Sequence, residues 1–197
     1  MLRKSVYPKI ESTLNSWAAF LNNQGISPNQ LTLGGLVLNL VAGCIFASGH
    51  FFLAGFMIII AALGDMLDGP LARSTNRATK FGAFLDSTVD RYSDFFLFGG
   101  LCLYYAKMDQ GFLLILSLLT LAGSFVTSYS KARAENLIDS CSAGIFERAE
   151  RVITLALCAL IWPLMPLGLF VLALGTNFTA IQRILFTRKV LSQDTDK

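Results

Sequence analysis

Asp65-Met66-Leu67-Asp68-Gly69-Pro70-Leu71-Ala72-Arg73, followed at fixed spacing by Gly82, Asp86 and Asp90, decides how the rest of the chain is read. It sets four carboxylates at or beside the membrane in a very apolar protein. Asp65 and Asp68 are three residues apart and Asp86 and Asp90 four, so on helices each pair shares a face. An ionisable side chain in or beside hydrocarbon costs several kcal/mol, which makes each one a candidate for function. Two facing aspartate pairs form a hard oxygen cage suited to Mg²⁺ or Mn²⁺. The glycines admit close backbone approach, and Arg73 supplies a fixed cation for an anionic ligand.

The surroundings of that stretch are those of a membrane protein. Of 197 residues 54% are hydrophobic and 15% charged, more apolar surface than a soluble domain of this length can hide. No basic run interleaved with aromatics points to nucleic acid. Cys44, Cys102 and Cys158 sit in apolar runs as small hydrophobes. Cys141 lies in a polar loop without a CxxC partner, so the cysteines indicate neither a zinc site nor a disulfide framework. His50, alone beside Gly49, reads as a loop residue.

Working outward, Val6, Ile10, Leu14, Trp17 and Leu21 recur at helical spacing, and 1–26 reads as an amphipathic helix in the membrane interface, ended by Gly25. Ser27-Pro28-Asn29-Gln30 is a helix start with a capping box and Pro in the first turn. Six apolar segments follow, from Leu31 to about Ala47, Phe51 to Leu63 and on into the aspartates, and Phe81 to about Tyr105. The others run from Phe112 to about Tyr129, from the 146–151 segment to near Trp162, and from Leu167 to about Phe186. The expectation is an all-α integral membrane protein with six transmembrane helices and an N-terminal interfacial helix. Its domain comprises 27–190 and is followed by a polar tail, 191–197.

With both termini on one side, six spans put every basic residue except Lys107 on that side. The positive-inside bias therefore places termini and carboxylates in the cytosol, and the protein in the cell membrane. Two divalent ions about 4 Å apart between the aspartates would clamp a diphosphate and stabilise attacking and leaving oxygens together.

Written out, the motif is D-x2-D-G-x2-A-R-x8-G-x3-D-x3-D, with every fixed position filled. It resembles the defining motif of the CDP-alcohol phosphotransferases, membrane enzymes that build phospholipid headgroups. The resemblance implies that Asp65, Asp68 and Asp86 bind metal and that Asp90 binds the second metal and acts as general base. It also implies that a CDP-linked lipid is held by Asn29, Gln30, Leu31, Thr32, Gly69, Arg73 and Thr79. An acceptor hydroxyl would attack the lipid-side phosphorus, with CMP leaving, in a homodimeric enzyme. The metal would be Mg²⁺, with Mn²⁺ as the alternative.

The acceptor is read from other residues. Ser128–Glu135, Glu147–Arg151 and Gln182-Arg183 are similar in arrangement to bacterial phosphatidylinositol phosphate synthases. That likeness implies that Lys131, Arg151 and Arg183, with Arg133 and Arg148 close by, hold the phosphate of inositol 1-phosphate. A phosphorylated acceptor needs several cations, and three helix ends supply them. The same residues also serve positive-inside anchoring. Glycerol 3-phosphate would ask for a similar pocket. A divalent-cation transporter would also use buried carboxylates, but such sites lie on broken helices related by internal repeats, and no repeat is present here.

Overall fold

The computed structural model of the protein describes residues 16–75 and 77–195. Six long helices carry the fold: α1 (Pro28–Ala47), α2 (Phe51–Ser74), α3 (Lys80–Lys107), α4 (Gly111–Ala134), α5 (Arg148–Leu160) and α6 (Met165–Thr195). A 3₁₀ turn, Trp162–Leu164, joins the last two, and no strand occurs among the described residues. Residues 16–23 form a further helical segment, with Trp17 and Phe20 exposed. Val6, Ile10 and Leu14, which carry most of the amphipathic pattern, lie outside the described residues.

Local chemistry sets the helix ends. Ser27 accepts from Gln30 N–H while Gln30 Oε1 accepts from Ser27 N–H at 2.8 Å, so the capping box forms and fixes the start of α1. At the other end of α1, Gly49 adopts φ +86°, and the N–H groups of Gly49 and His50 close back on Phe46 O and Ile45 O. That is a Schellman turn, and it sends the chain straight into α2. Thr79 caps α3 by accepting from Gly82 N–H at 2.9 Å.

α2 runs on into the aspartates, as expected, and continues as helix through Pro70 to Ser74, so the whole Asp65–Arg73 motif is helical. Two boundaries differ from the sequence expectation. α5 begins only at Arg148, with Glu147 as its N-cap, and has 13 residues. α6 runs to Thr195, well into the segment expected to be a polar tail.

The helices form a closed ring in which each packs chiefly on two others: α1 on α3, α3 on α4, α4 on α6, α6 on α5, α5 on α2, and α2 on α1. Phe46, Ile58, Leu97, Phe98, Leu101, Leu155, Leu169 and Leu172 fill its centre. Outward, Val37, Phe52, Phe56, Leu103, Phe112, Leu174 and Phe178 are exposed, the inverse of a soluble protein's surface. Among the described residues four helical segments are long and apolar enough to cross a bilayer: Pro28–Ala47, Phe51–Ser74, Gly111–Ala134 and Trp162–Gln193. The protein is an all-helical membrane protein. α3 is long enough but carries Asp86, Asp90, Arg91 and Asp94 inward, and α5 is short.

Candidate active site

One end of the ring opens into a cleft of about 230 Å³ between the start of α1, the end of α2 and the start of α3. Asn29, Thr32, Asp68, Gly69, Arg73, Thr79 and Asp86 line it. Five of the seven residues expected to hold the CDP-lipid are therefore brought together. The other two are engaged elsewhere: Gln30 in the capping box, and Leu31 against Gly64 of α2.

The aspartates converge from two helices. Thr32 Oγ1 donates to Asp68 Oδ2 at 3.0 Å, tying α1 to α2. A Cβ at Gly35 would stand 2.8 Å from Asp65 Oδ1, so glycine there leaves room for that carboxylate. Behind Asp68 and Asp86, the Arg148 guanidinium bridges the remaining pair, with Nη1 2.7 Å from Asp65 Oδ2 and 3.0 Å from Asp90 Oδ1. Arg91 Nη1 lies 3.4 Å from Asp90 Oδ2, so each Asp90 oxygen faces a guanidinium. The same Arg91 nitrogen donates to Ser87 O.

These residues suit a divalent ion in donor chemistry and charge. The donors are hard carboxylate oxygens, and Asp90 Oδ1 is buried with an ionic contact but no hydrogen-bond partner. A positive charge already stands between Asp65 and Asp90 in the form of Arg148. Among the described residues no three acidic, His or Cys side chains close around one point.

The basic residues expected around an acceptor phosphate divide into distinct environments. Arg151 is buried and pairs with the buried Asp94 at 2.9 Å. Arg183 is 3% exposed and fully engaged: Nε donates to Ala143 O at 2.9 Å, Nη1 to Thr127 O at 2.7 Å, and Nη2 pairs with Glu147 at 3.0 Å. Lys131 Nζ reaches the same Glu147 oxygen at 3.4 Å from a half-exposed position. Arg133 joins none of these pairs and lines a separate groove between α4 and α6.

Glu147, which the sequence sets beside Arg148 and Arg151 at the start of the fifth span, links α4, α5 and α6 through Lys131 and Arg183. That linking role, Gly35 and the bridging position of Arg148 were not legible in the sequence. Cys141, expected in a polar loop, is buried with Ala134 and Ile138 in a satellite cluster under the α4–α5 connection.

Comparison with known proteins agrees with this geometry. Residues 25–185 match the CDP-alcohol phosphatidyltransferase family. The archaetidylinositol phosphate synthase of Pyrococcus horikoshii is 38% identical over 97% of this chain and 98% of its own. The phosphatidylinositol phosphate synthase of Streptomyces avermitilis is 36% identical over 96% and 83%. The crystal structure of Mycobacterium tuberculosis phosphatidylinositol phosphate synthase with CDP-DAG bound superposes with a TM-score of 0.82 at 33% identity, covering 88% of this chain and 92% of that one. The same enzyme is also known in complex with manganese and citrate, with a TM-score of 0.81, 33% identity and 88% coverage of both chains. A complete aspartate motif on two helices that both pack on α1, a cleft beside it and a family match over most of the length lead to one conclusion: the chain belongs to the CDP-alcohol phosphatidyltransferases and is a membrane transferase of phosphate-containing groups.

Proposed function

We propose that the protein transfers a phosphatidyl group from CDP-diacylglycerol to inositol 1-phosphate and releases CMP. The observation that carries this reading is the set of four cations beside the aspartates: Arg148 on Asp65 and Asp90, Arg151 on Asp94, and Lys131 and Arg183 on Glu147, the residue next to Arg148. An unphosphorylated alcohol would need no such charge; a phosphomonoester does. Lys131 and Arg148, the more exposed pair, would meet the phosphate, and Arg151 and Arg183 would brace them from behind. The named relatives, which are inositol phosphate lipid synthases, support the same acceptor.

In this reading Asn29, Thr32, Gly69, Arg73 and Thr79 hold the cytidine diphosphate part of the donor. Asp65, Asp68, Asp86 and Asp90 would hold two divalent ions, Mg²⁺ or Mn²⁺, which supply charge stabilisation at the diphosphate. Asp90 takes the proton from the attacking hydroxyl. The new bond forms at the phosphorus that carries the diacylglycerol, and the bond from that phosphorus to CMP breaks. Arg148, which pairs with Asp65 and Asp90 here, would turn towards the acceptor phosphate when those carboxylates hold metal. The six helices would all span the cell membrane, with both termini and the cleft in the cytosol, and the enzyme would act as a homodimer.

The test is CMP release by purified protein in CDP-diacylglycerol micelles, with Mg²⁺ or EDTA, against inositol 1-phosphate, inositol, glycerol 3-phosphate and serine. Release with inositol 1-phosphate alone, abolished by EDTA and restored by Mg²⁺ or Mn²⁺, is the expected outcome. Release only with glycerol 3-phosphate would keep the mechanism and replace the acceptor.

A further inference from the structure

A second polar feature lies outside the reaction cleft. Between the last turns of α4 and α6 runs an open groove of about 570 Å³. Val126, Tyr129, Ser130, Arg133 and Leu137 recur along α4 and its extension, and Ile184, Thr187, Arg188 and Leu191 along α6, at the three-to-four residue spacing of one helix stripe facing another. Ala134 and Arg183 complete the lining, and no acidic residue is among the residues that form it. Tyr129, Leu137 and Ile184 are more than half exposed.

Two arginines distinguish this groove from ordinary lipid-facing surface. Arg133 and Arg188 are exposed and, among the described residues, form neither an ion pair nor a hydrogen bond. The other arginines of α3 to α6, namely Arg91, Arg148, Arg151 and Arg183, are all paired with carboxylates. Arg183 forms the inner wall of the groove, but its guanidinium is spent on Thr127 O, Ala143 O and Glu147, which separates the groove from the acceptor side. Two free guanidinium groups above an apolar trough between membrane helices match one ligand chemistry: a phosphodiester with acyl chains attached.

We propose that this groove binds one anionic glycerophospholipid of the surrounding bilayer, its phosphate between Arg133 and Arg188 and an acyl chain along Val126, Leu137 and Ile184. The site rests on the protein's being in a membrane and not on the identity of the acceptor, and its test reads lipid retention rather than turnover.

The protein is reconstituted in nanodiscs of phosphatidylcholine with or without phosphatidylglycerol, released into the gas phase, and its retained lipids are weighed. Wild-type protein should keep one phosphatidylglycerol in preference to phosphatidylcholine. The double variant R133Q/R188Q should weaken that retention roughly tenfold or more, each arginine near a bilayer surface contributing on the order of a fivefold factor. R188Q alone should lie between. The variants' melting temperatures in phosphatidylcholine should match wild type, because both side chains are exposed and, among the described residues, neither forms an ion pair or a hydrogen bond. Equal retention of the two lipids, or undiminished retention by R133Q/R188Q, would overturn the proposal; the latter would assign the retained lipid to the reaction cleft. Cross-linking of Ile184→Cys between two copies in phosphatidylglycerol nanodiscs would also overturn it, giving the groove to a second copy of the chain.

Discussion

Arg183 has 3% of its side chain exposed and satisfies two backbone carbonyls and Glu147, whereas Lys131, 39% exposed, meets only Glu147 at 3.4 Å. The two cations sit at the same end of the ring, yet their substitution should read out differently. Arg183→Gln removes a buried charge from three acceptors and should lower stability by about 3 kcal/mol, seen as a fall in melting temperature. Lys131→Ala should leave melting unchanged and raise the acceptor KM; an unchanged KM would reduce Lys131 to a helix anchor. At Asp90, both oxygens face guanidinium groups, so Asp90→Asn keeps shape while losing proton acceptance. It should abolish CMP release while CDP-lipid binding persists, and retained turnover would remove Asp90 as the base. The aspartates were legible in the sequence because their spacing is fixed within two helices. The division of labour among Lys131, Arg133, Arg148, Arg151 and Arg183 was not, because identical charges acquire different roles only from partners such as Asp94 and Glu147 that are distant along the chain.

Between elements, the α1–α3 crossing is the tightest constraint on the cleft. A Cβ added at Gly43 would collide with Phe96 O, and one at Gly100 with Gly43 O, so the two backbones touch. Without a hydrophobic drive between helices in lipid, such close packing is what holds them together. Gly100→Val should force α1 from α3, cost about 1–3 kcal/mol and reduce turnover, although it lies ~15 Å along α3 from Asp90. Gly99→Val, where the added group meets open space, is the control and should be tolerated in both assays. Equal effects of the two would discard the crossing as the cause. The start of α1 was readable because its capping box is local. The end of α6 was not, because its polar last turns are held by Phe186 and Val190 packing on Ala134, Ile138 and Cys141, a contact that hydropathy along the chain does not reveal.

At the scale of the whole molecule, two helices fall short as apolar spans for one reason. From Asp94 to Lys107, α3 rises about 20 Å; the 13 residues of α5 rise about the same, as does α2 from Phe51 to Asp65. A bilayer core is about 30 Å thick, so with all six helices crossing, an apolar layer of about 20 Å beneath the site would sink the polar cleft roughly 10 Å into the membrane. The charges on α3 and α5 line that recess, and Arg151–Asp94 marks its floor. Such a depth would let the proposed donor keep its acyl chains in lipid while its diphosphate meets the aspartates from the wet side. The arrangement requires α3 and α5 to cross with the others, putting the α3–α4 turn on one side of the membrane and the end of α6 on the other. In a background with all four cysteines replaced by alanine, Gln110→Cys should react with an impermeant maleimide on intact cells. Ser192→Cys should react only after permeabilisation. Labelling of both from the same side would mean that α4 and α6 do not end where six crossings put them, and the recessed site would have to be abandoned.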